Sequence, residues 1–258
     1  SYGVFADYDY KQRYLLQASV RRDGSSNFGS DVQYGTFYSA SVGWNLAKEN
    51  FFQVDFIDDL KLRGSYGSVG NRLGLTNYAS QGTVGFGSYP GGSSTIPDNV
   101  ANPDLSWETT TTTNIGLELN MFNDRVRLVS DYFIRNTTDL LFAIPTADEA
   151  GVGSINGNVG DIRNKGLEIS LQGDLFRGND FKWTLGGNIL FLDHEIVKLP
   201  DGEPIDPTAN TFFIRWEEGR KINEHFLIRY AGVDPATGRA QFYGGDGNIY
   251  FANELPEG

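Results

Sequence analysis

Residues 107–135 read WETTTTTNIGLELNMFNDRVRLVSDYFIR. In the first half of this segment apolar and polar side chains alternate, with Ile115 and Leu117 on one side and Glu118 on the other. Alternation with a period of two residues is the signature of a β-strand that has one apolar and one polar face. The pattern breaks at the turn 122–124 and then resumes, so the segment predicts a hairpin of two long antiparallel strands.

The same alternation recurs along most of the chain and predicts about nine antiparallel strands. Several of them run for roughly ten to fourteen residues, whereas strands of globular proteins usually have about five or six. A tilted strand that crosses a membrane needs about nine to eleven. The predicted strands, of which the last is the weakest, cover residues 2–10, 14–21, 34–46, 60–66, 107–120, 126–135, 167–175, 183–191 and 223–233.

The connections between these strands differ in length. Short turns lie near residues 11–13, 121–125 and 177–180, and the connection 47–59 contains a predicted helical turn within 47–52. The long connections are rich in Gly, Ser, Asn and Pro and lie near residues 21–33, 70–105, 138–162 and 193–221. Short periplasmic turns on one rim and long extracellular loops on the other are typical of outer-membrane β-barrels.

The predicted fold class is therefore all-β, as a fragment of a large transmembrane β-barrel. The polar sides of most strands carry charged residues, such as Glu108, Arg127 and Glu168, which the polar interior of a wide barrel accommodates. About nine strands are too few to close a barrel with space inside. The alternative is an extracellular ligand-binding or adhesion protein without transport, built either as a barrel or as a soluble, lectin-like β-sandwich.

The composition excludes several other classes of protein. The chain has 258 residues and no cysteine, and its 33 acidic and 21 basic residues give a net charge of −12. The absence of cysteine excludes a disulfide scaffold, and the acidic balance argues against nucleic acid as a partner. No run approaches the roughly 18 apolar residues of a membrane-spanning helix. The first residues already follow a strand pattern and the last ones read as a loop, so we expect a chain cut from a longer protein at both ends.

Several local strings resemble the SusC/RagA family of TonB-dependent outer-membrane transporters. The longest are YLLQASVRRDGSSNFG at 14–29, LKLRGSYGSVGN at 60–71 and NPDLSWETT at 102–110. Shorter matches lie at 114–117, 139–141, 158–160, 163–168 and 231–238. The matches keep their order along nearly the whole chain, and the region around 212–229 fits least well.

The resemblance implies a barrel of about 22 strands with a plug inside it. It also implies a SusD-like surface lipoprotein over the extracellular mouth and uptake of oligosaccharides or peptides driven through the TonB complex. Residues 1–258 would then be part of the barrel domain, in contact with outer-membrane lipid in a Gram-negative bacterium. The plug, the segment that contacts TonB and the remaining strands would lie outside this chain.

Neither catalysis nor a cofactor is predicted from the residues. The two histidines are His194 and His225, and residues 194–198 begin like the zinc motif H-E-x-x-H but have Lys198 in place of the second histidine. Acidic loop residues offer oxygen ligands for calcium, yet their spacing matches no calcium loop, so we expect solvated surface charge. These acidic residues are Asp148, Glu149, Asp201, Glu203, Asp206, Glu217, Glu218 and Asp246.

Aromatic residues in the long loops are the candidates for contact with a substrate or a partner. Such rings stack on sugars or pack against another protein, although ordinary loop packing uses the same residues. The candidates are Phe86, Tyr89, Phe212, Phe213 and Trp216.

Overall fold

The computed structural model describes residues 1–89, 92–145, 151–152, 154–205, 214–225 and 227–254. Over these ranges the chain forms β-strands joined by turns, with two short 3-10 turns at Leu46–Lys48 and Pro200–Gly202. None of the helical segments in the described ranges has the length and apolarity to cross a membrane. The strands are β1 (Tyr2–Tyr10), β2 (Tyr14–Gly24), β3 (Tyr34–Asn45), β4 (Ile57–Asn71), β5 (Thr83–Tyr89), β6 (Gly92–Asn99), β7 (Glu108–Met121), β8 (Val126–Thr138), β9 (Leu141–Pro145), β10 (Ser154–Asn158), β11 (Asp161–Arg177), β12 (Lys182–Lys198), β13 (Tyr230–Val233), β14 (Ala240–Tyr243) and β15 (Ile249–Phe251).

Eight of these strands form one large sheet in the order β1-β2-β3-β4-β7-β8-β11-β12. Every neighbouring pair is antiparallel, so the chain runs up and down across the sheet. The first eight predicted strands are confirmed, and each pairs with the next one in the sheet. Their connections place the short turns on one rim, called here the short-turn rim, and the long loops on the other, called the long-loop rim.

The register of the sheet separates two faces. Leu117 lies opposite Leu62 on one side and Ser130 on the other, and the same alignment continues through every strand. The apolar face carries, one from each strand in sheet order, Val4, Leu16, Val42, Leu62, Leu117, Leu128, Leu171 and Leu185. The polar face carries Asp7, Gln17, Ser41, Lys61, Glu118, Arg127, Glu168 and Asn188.

The apolar face is open to its surroundings. Val4 is 77% exposed, Leu171 53% and Leu185 59%. A soluble sandwich buries such a face against a second sheet, whereas the other described sheets have only two or three strands. An exposed apolar surface of this extent needs lipid, detergent or a partner to cover it.

The long loops contain more structure than the sequence predicted. The connection 70–105 includes the hairpin β5–β6, and the connection 138–162 includes β9–β10. Strand β12 continues to Lys198, into residues predicted as loop. The predicted ninth strand is not part of the large sheet: Tyr230–Val233 pairs with β14, which pairs with β15 in a separate small sheet.

The buried core of the described chain lies at the long-loop rim. Phe28 is 2% exposed, and Ala79 and Leu105 are fully buried beside it. Trp107, which directly precedes β7, packs its ring against Phe28 with the ring centroids 4.9 Å apart. Two of the strings that resemble the SusC/RagA family, 14–29 and 102–110, therefore meet in this core.

Asparagine side chains join the loops around this core. Asn27 donates from Nδ2 to the carbonyl of Thr76 at 2.7 Å, and Asn99 donates to the carbonyl of Gln81 at 2.7 Å. Asn158 accepts from the Ser106 amide at 2.7 Å and donates to the Ser106 carbonyl at 2.8 Å. Loop carbonyls and amides that lack a strand partner must be paired in another way when they are buried. These bonds meet that need and hold the loops to one another.

Replacement of Gly29 by alanine is expected to loosen the long-loop rim. A Cβ at this position would lie 1.7 Å from the carbonyl oxygen of Pro103, so the backbone must move. Overpacking of this kind costs about 1–3 kcal/mol. Limited proteolysis of the full-length protein should show faster cleavage within the long loops of G29A. The control is Gly85→Ala, where the nearest atom is 3.9 Å away, and equal cleavage of the two variants would contradict the close contact.

Candidate functional site

A cluster of charged side chains crosses four strands on the polar face, β4, β7, β8 and β11. Arg63 of β4 donates from Nη2 to Asp131 Oδ2 of β8 at 2.6 Å, and its Nη1 lies 3.3 Å from Glu118 Oε1 of β7. Lys61 lies directly opposite Glu118, and Glu168 of β11 lies directly opposite Asp131. The cluster holds two cationic and three anionic groups, and its ion pairs tie β4, β7 and β8 together.

Glycine at position 116 makes this arrangement feasible. Gly116 stands between Arg63 and Asp131 in the register of the sheet. A Cβ there would lie 2.4 Å from Arg63 Nε and 2.6 Å from Asp131 Oδ1. The arginine therefore reaches across an entire strand only because the intervening residue has no side chain.

Beside this cluster the polar face is lined with small side chains. Ser19, Ser41, Gly43 and Ser65 leave open space over strands β1 to β4. Two concave regions of about 700 Å³ and 460 Å³ lie there. This part of the polar face, over β1 to β4, is called here the hydroxyl-rich wall. It has room for another protein segment to pack against it.

Of the five aromatic candidates, the structure describes the side chains of Phe86 and Trp216, and these two lie in different places. Phe86 is 86% exposed on the hairpin β5–β6, and Tyr89 ends β5. Phe212 and Phe213 lie outside the described residues. Trp216 lines a cavity of the described chain, and Phe86 is not among that cavity's lining residues.

The Trp216 cavity, as we call it, has a volume of about 160 Å³ and lies at the long-loop rim. The Trp216 indole donates from Nε1 to the carbonyl of Ile222 at 3.0 Å and packs edge-on against Phe142, with the ring centroids 5.6 Å apart. The segment that carries Trp216 is held to β12 by two backbone bonds of 2.8 Å, between Ile196 and residues 219 and 220. The main lining residues are Leu141, Phe142, Ile162, Ile196, Ile205 and Trp216.

Of these lining residues, only Trp216 was among the candidates predicted from the sequence. Ile162 and Ile196 face each other in the register of β11 and β12, on the polar side of the sheet. Leu190 and Leu192 also lie on that side of β12, so this strand departs from strict alternation. The unbroken apolar run 189–192 was the available signal that apolar groups reach the polar face here.

The acidic residues and histidines of the described ranges show no arrangement suited to a metal ion. No group of three or more His, Asp or Glu side chains is close enough to hold one within those ranges. In the small sheet, hydrogen bonds from Thr237 to Asp234 and from Tyr250 to Asp246 lower the pKa of both carboxyl groups. Both carboxylates thus accept hydrogen bonds from residues close to them in the chain. Asp148, Glu149 and Asp206 lie outside the described residues.

At the level of sequence, the chain is similar to TonB-dependent receptors. The family described as "TonB dependent receptor-like, beta-barrel" matches residues 1–253. TonB-dependent receptor P39 of Formosa agariphila is 35% identical over 228 residues, which is 88% of this chain and 22% of that protein. TonB-dependent receptor SusC of Bacteroides thetaiotaomicron is 35% identical over 218 residues, which is 80% of this chain and 21% of that protein. The chain thus spans about a fifth of the length of these relatives.

Solved structures agree with the sequence relatives. The RagAB peptide transporter superposes with a TM-score of 0.88 at 30% identity, over 97% of this chain and 28% of the other. The RagAB peptide importer in its closed-closed state gives a TM-score of 0.87 at 30% identity, over 98% of this chain and 29% of the other.

Replacement of Gly116 by alanine is expected to separate Arg63 from Asp131 and to destabilise the sheet. The loss of a partly buried ion pair together with crowding should cost about 1–3 kcal/mol. Unfolding of the full-length protein by denaturant in detergent measures this loss. The matched control is Gly64→Ala, on the neighbouring position of β4, where the nearest atom is 3.7 Å away. An equally large loss in the control would show that the charged cluster is not the cause.

Proposed function

Since the chain belongs to the TonB dependent receptor-like β-barrel family, we propose that its parent protein imports oligosaccharides or peptides across the outer membrane of a Gram-negative bacterium. The resemblance to the SusC/RagA family is confirmed by the identity of 35% to SusC and of 30% to the RagAB chain. The large sheet is a segment of the barrel wall. In this proposal the short-turn rim faces the periplasm and the long-loop rim faces the outside.

The observation that carries this proposal is the unbroken sheet with its two faces. Its eight strands pair in one continuous order, and every strand contributes apolar side chains to the same face. In lipid every backbone polar group must be satisfied by the protein itself, which a closed sheet achieves. A lipid-facing outer surface and a hydrated inner surface then account for the apolar and the polar face.

Eight strands do not enclose a lumen of useful width, because barrel diameter grows with the number of strands. We propose that the remaining strands, a plug and the segment that contacts the TonB complex belong to the parent protein outside residues 1–258. The hydroxyl-rich wall over β1 to β4 offers a plug the space to pack. The barrel segment itself then acts as wall and rim, without bond chemistry.

The choice between substrates and the identity of the lid are also proposals. The similarity to the RagAB peptide transporter supports peptides, and the similarity to SusC supports a SusD-like lipoprotein over the long-loop rim. The joined loops of this rim provide a preformed surface for such a partner. Phe86, which is 86% exposed, and Tyr89 in the same hairpin are proposed contacts with the lid or the substrate.

Energy-dependent uptake tests the proposed function. Cells that carry the full-length protein and its lipoprotein receive a fluorescent peptide mixture or a fluorescent maltooligosaccharide. We expect one of them to accumulate in the periplasm and the accumulation to stop when a protonophore removes the proton-motive force. Deletion of the protein is the control. Surface binding of the ligand without accumulation would instead favour the adhesion or ligand-binding alternative.

A charge on the apolar face should destabilise the protein in a membrane far more than one on the polar face. Leu171 and Ser170 are neighbours on β11 and point to opposite faces at the same depth. Arginine on the lipid side near the bilayer midplane costs about 2–4 kcal/mol, whereas the same residue on the lumen side stays hydrated. Urea unfolding of L171R and S170R in lipid vesicles measures the difference. Equal stability of the two variants would contradict the assigned faces.

A further inference from the structure

The Trp216 cavity has the size and chemistry of a site for one apolar side chain. Its volume is about 160 Å³, and the lining side chains are almost entirely apolar. A cavity of about 150 Å³ lined by Leu, Ile and Phe stays dry and accepts a benzene-sized group. A sugar would leave its hydroxyl groups without hydrogen-bond partners in such a place, which is costly. The cavity therefore favours an aliphatic or aromatic side chain over a sugar ring.

A single cation stands among the described residues that line this cavity. Lys198 ends β12, its side chain is exposed, and it makes no ion pair within the described residues. The other lining residues carry no charge. A ligand that fills the cavity and also carries a negative charge beside its apolar group would match both features.

The carboxyl-terminal residue of a peptide has this combination, because its free carboxylate lies two bonds from the side-chain carbon. We propose that the Trp216 cavity binds the carboxyl-terminal residue of an imported peptide, with an apolar side chain in the cavity and the carboxylate at Lys198. This inference rests on the proposed import function and narrows its substrate class to peptides.

The position of the cavity suits this role. Ile162 and Ile196 lie on the polar face, at the ends of β11 and β12 on the long-loop rim. The chain from residue 214 to residue 222 folds over them. Backbone hydrogen bonds join it to Ile196 of β12, and the Trp216 indole donates to the Ile222 carbonyl within it. A peptide that enters from the long-loop rim would meet the cavity on the inner wall before it reaches the wider space below.

Binding of defined peptides tests the proposal. The full-length protein with its lipoprotein, in detergent, is titrated calorimetrically with peptides that differ only at the last residue. A peptide that ends in Leu should bind at least about ten-fold more tightly than one that ends in Ser, because the cavity buries a whole apolar side chain. Amidation of the Leu peptide should weaken its binding several-fold in the native protein, but not in Lys198→Gln.

Two variants of the cavity itself provide independent evidence. Val159→Phe fills the cavity and should remove the preference for Leu, whereas Val233→Phe, at a 53% exposed position of β13, should keep it. Ile222→Ala enlarges the cavity without removing the carbonyl that Trp216 uses, so the preference should move from Leu to Phe. A general loss of folding would not produce such a shift.

The possible failures can be told apart. Peptide binding that does not depend on the last residue overturns the cavity proposal and leaves the import function standing. Loss of the lipoprotein from V159F, with peptide preference intact, overturns it in favour of a contact between the cavity and the lid. Binding and uptake of the maltooligosaccharide alone would overturn the peptide assignment. Absence of energy-dependent uptake of either ligand would overturn the proposed function itself.

Discussion

The continuous register of the antiparallel ladder is the constraint on which the rest of the structure depends. A shift by one residue in any pair would turn that strand's apolar side chains toward the polar face. Short turns help to fix the register: Lys11 and Gln12 at one turn, and residues 122–124 at another, adopt positive φ values that non-glycine residues rarely take. The sheet holds these unfavourable conformations because the pairing on both sides determines them. Arg63 adds a further link, since its ion pair with Asp131 forms only when Gly116 lies between them.

The middle of the sheet and its long-loop rim are stabilised by different means. Between the rims, stability comes from backbone pairing and from the medium that covers the apolar face, because few side chains there are buried. At the long-loop rim the chain builds its own core from Phe28, Ala79 and Leu105. This core explains why the strings 23–29 and 102–107 look distinctive in the sequence: they supply its packing and its hydrogen bonds. The loops are thus joined to one another by contacts within the protein.

The sequence could predict what depends on neighbouring residues and not what depends on distant ones. Period-two alternation identified the strands of the large sheet and the turns between them, because pleating alone creates that pattern. It missed the hairpins β5–β6 and β9–β10, whose strands of five to eight residues lie within long connections and do not alternate between apolar and polar residues as the strands of the large sheet do. It placed the ninth strand in the barrel because residues 223–233 resemble a strand locally, although the strand that forms, Tyr230–Val233, pairs with the turn-linked β14. Trp216 was a candidate as an aromatic loop residue, but its ring contact with Phe142 and its shared cavity with Ile196 join positions 20 to 74 residues apart and leave no local pattern.

The departure of β12 from alternation places apolar residues on the polar face, at the cavity that we propose as a binding site. A strictly polar inner face offers hydrogen-bonding groups everywhere and therefore discriminates poorly between hydrated ligands. Apolar residues on that face would be costly if they stayed in water, and Ile196 avoids the cost because segment 214–222 folds over it. The same fold-back leaves the Trp216 cavity, an apolar site beside the polar wall. Burial of one apolar side chain contributes about 1.5–3 kcal/mol, enough to orient a ligand but far from enough to retain it. The proposed import function needs that balance, because a substrate held tightly at the long-loop rim would not be released further along the wall.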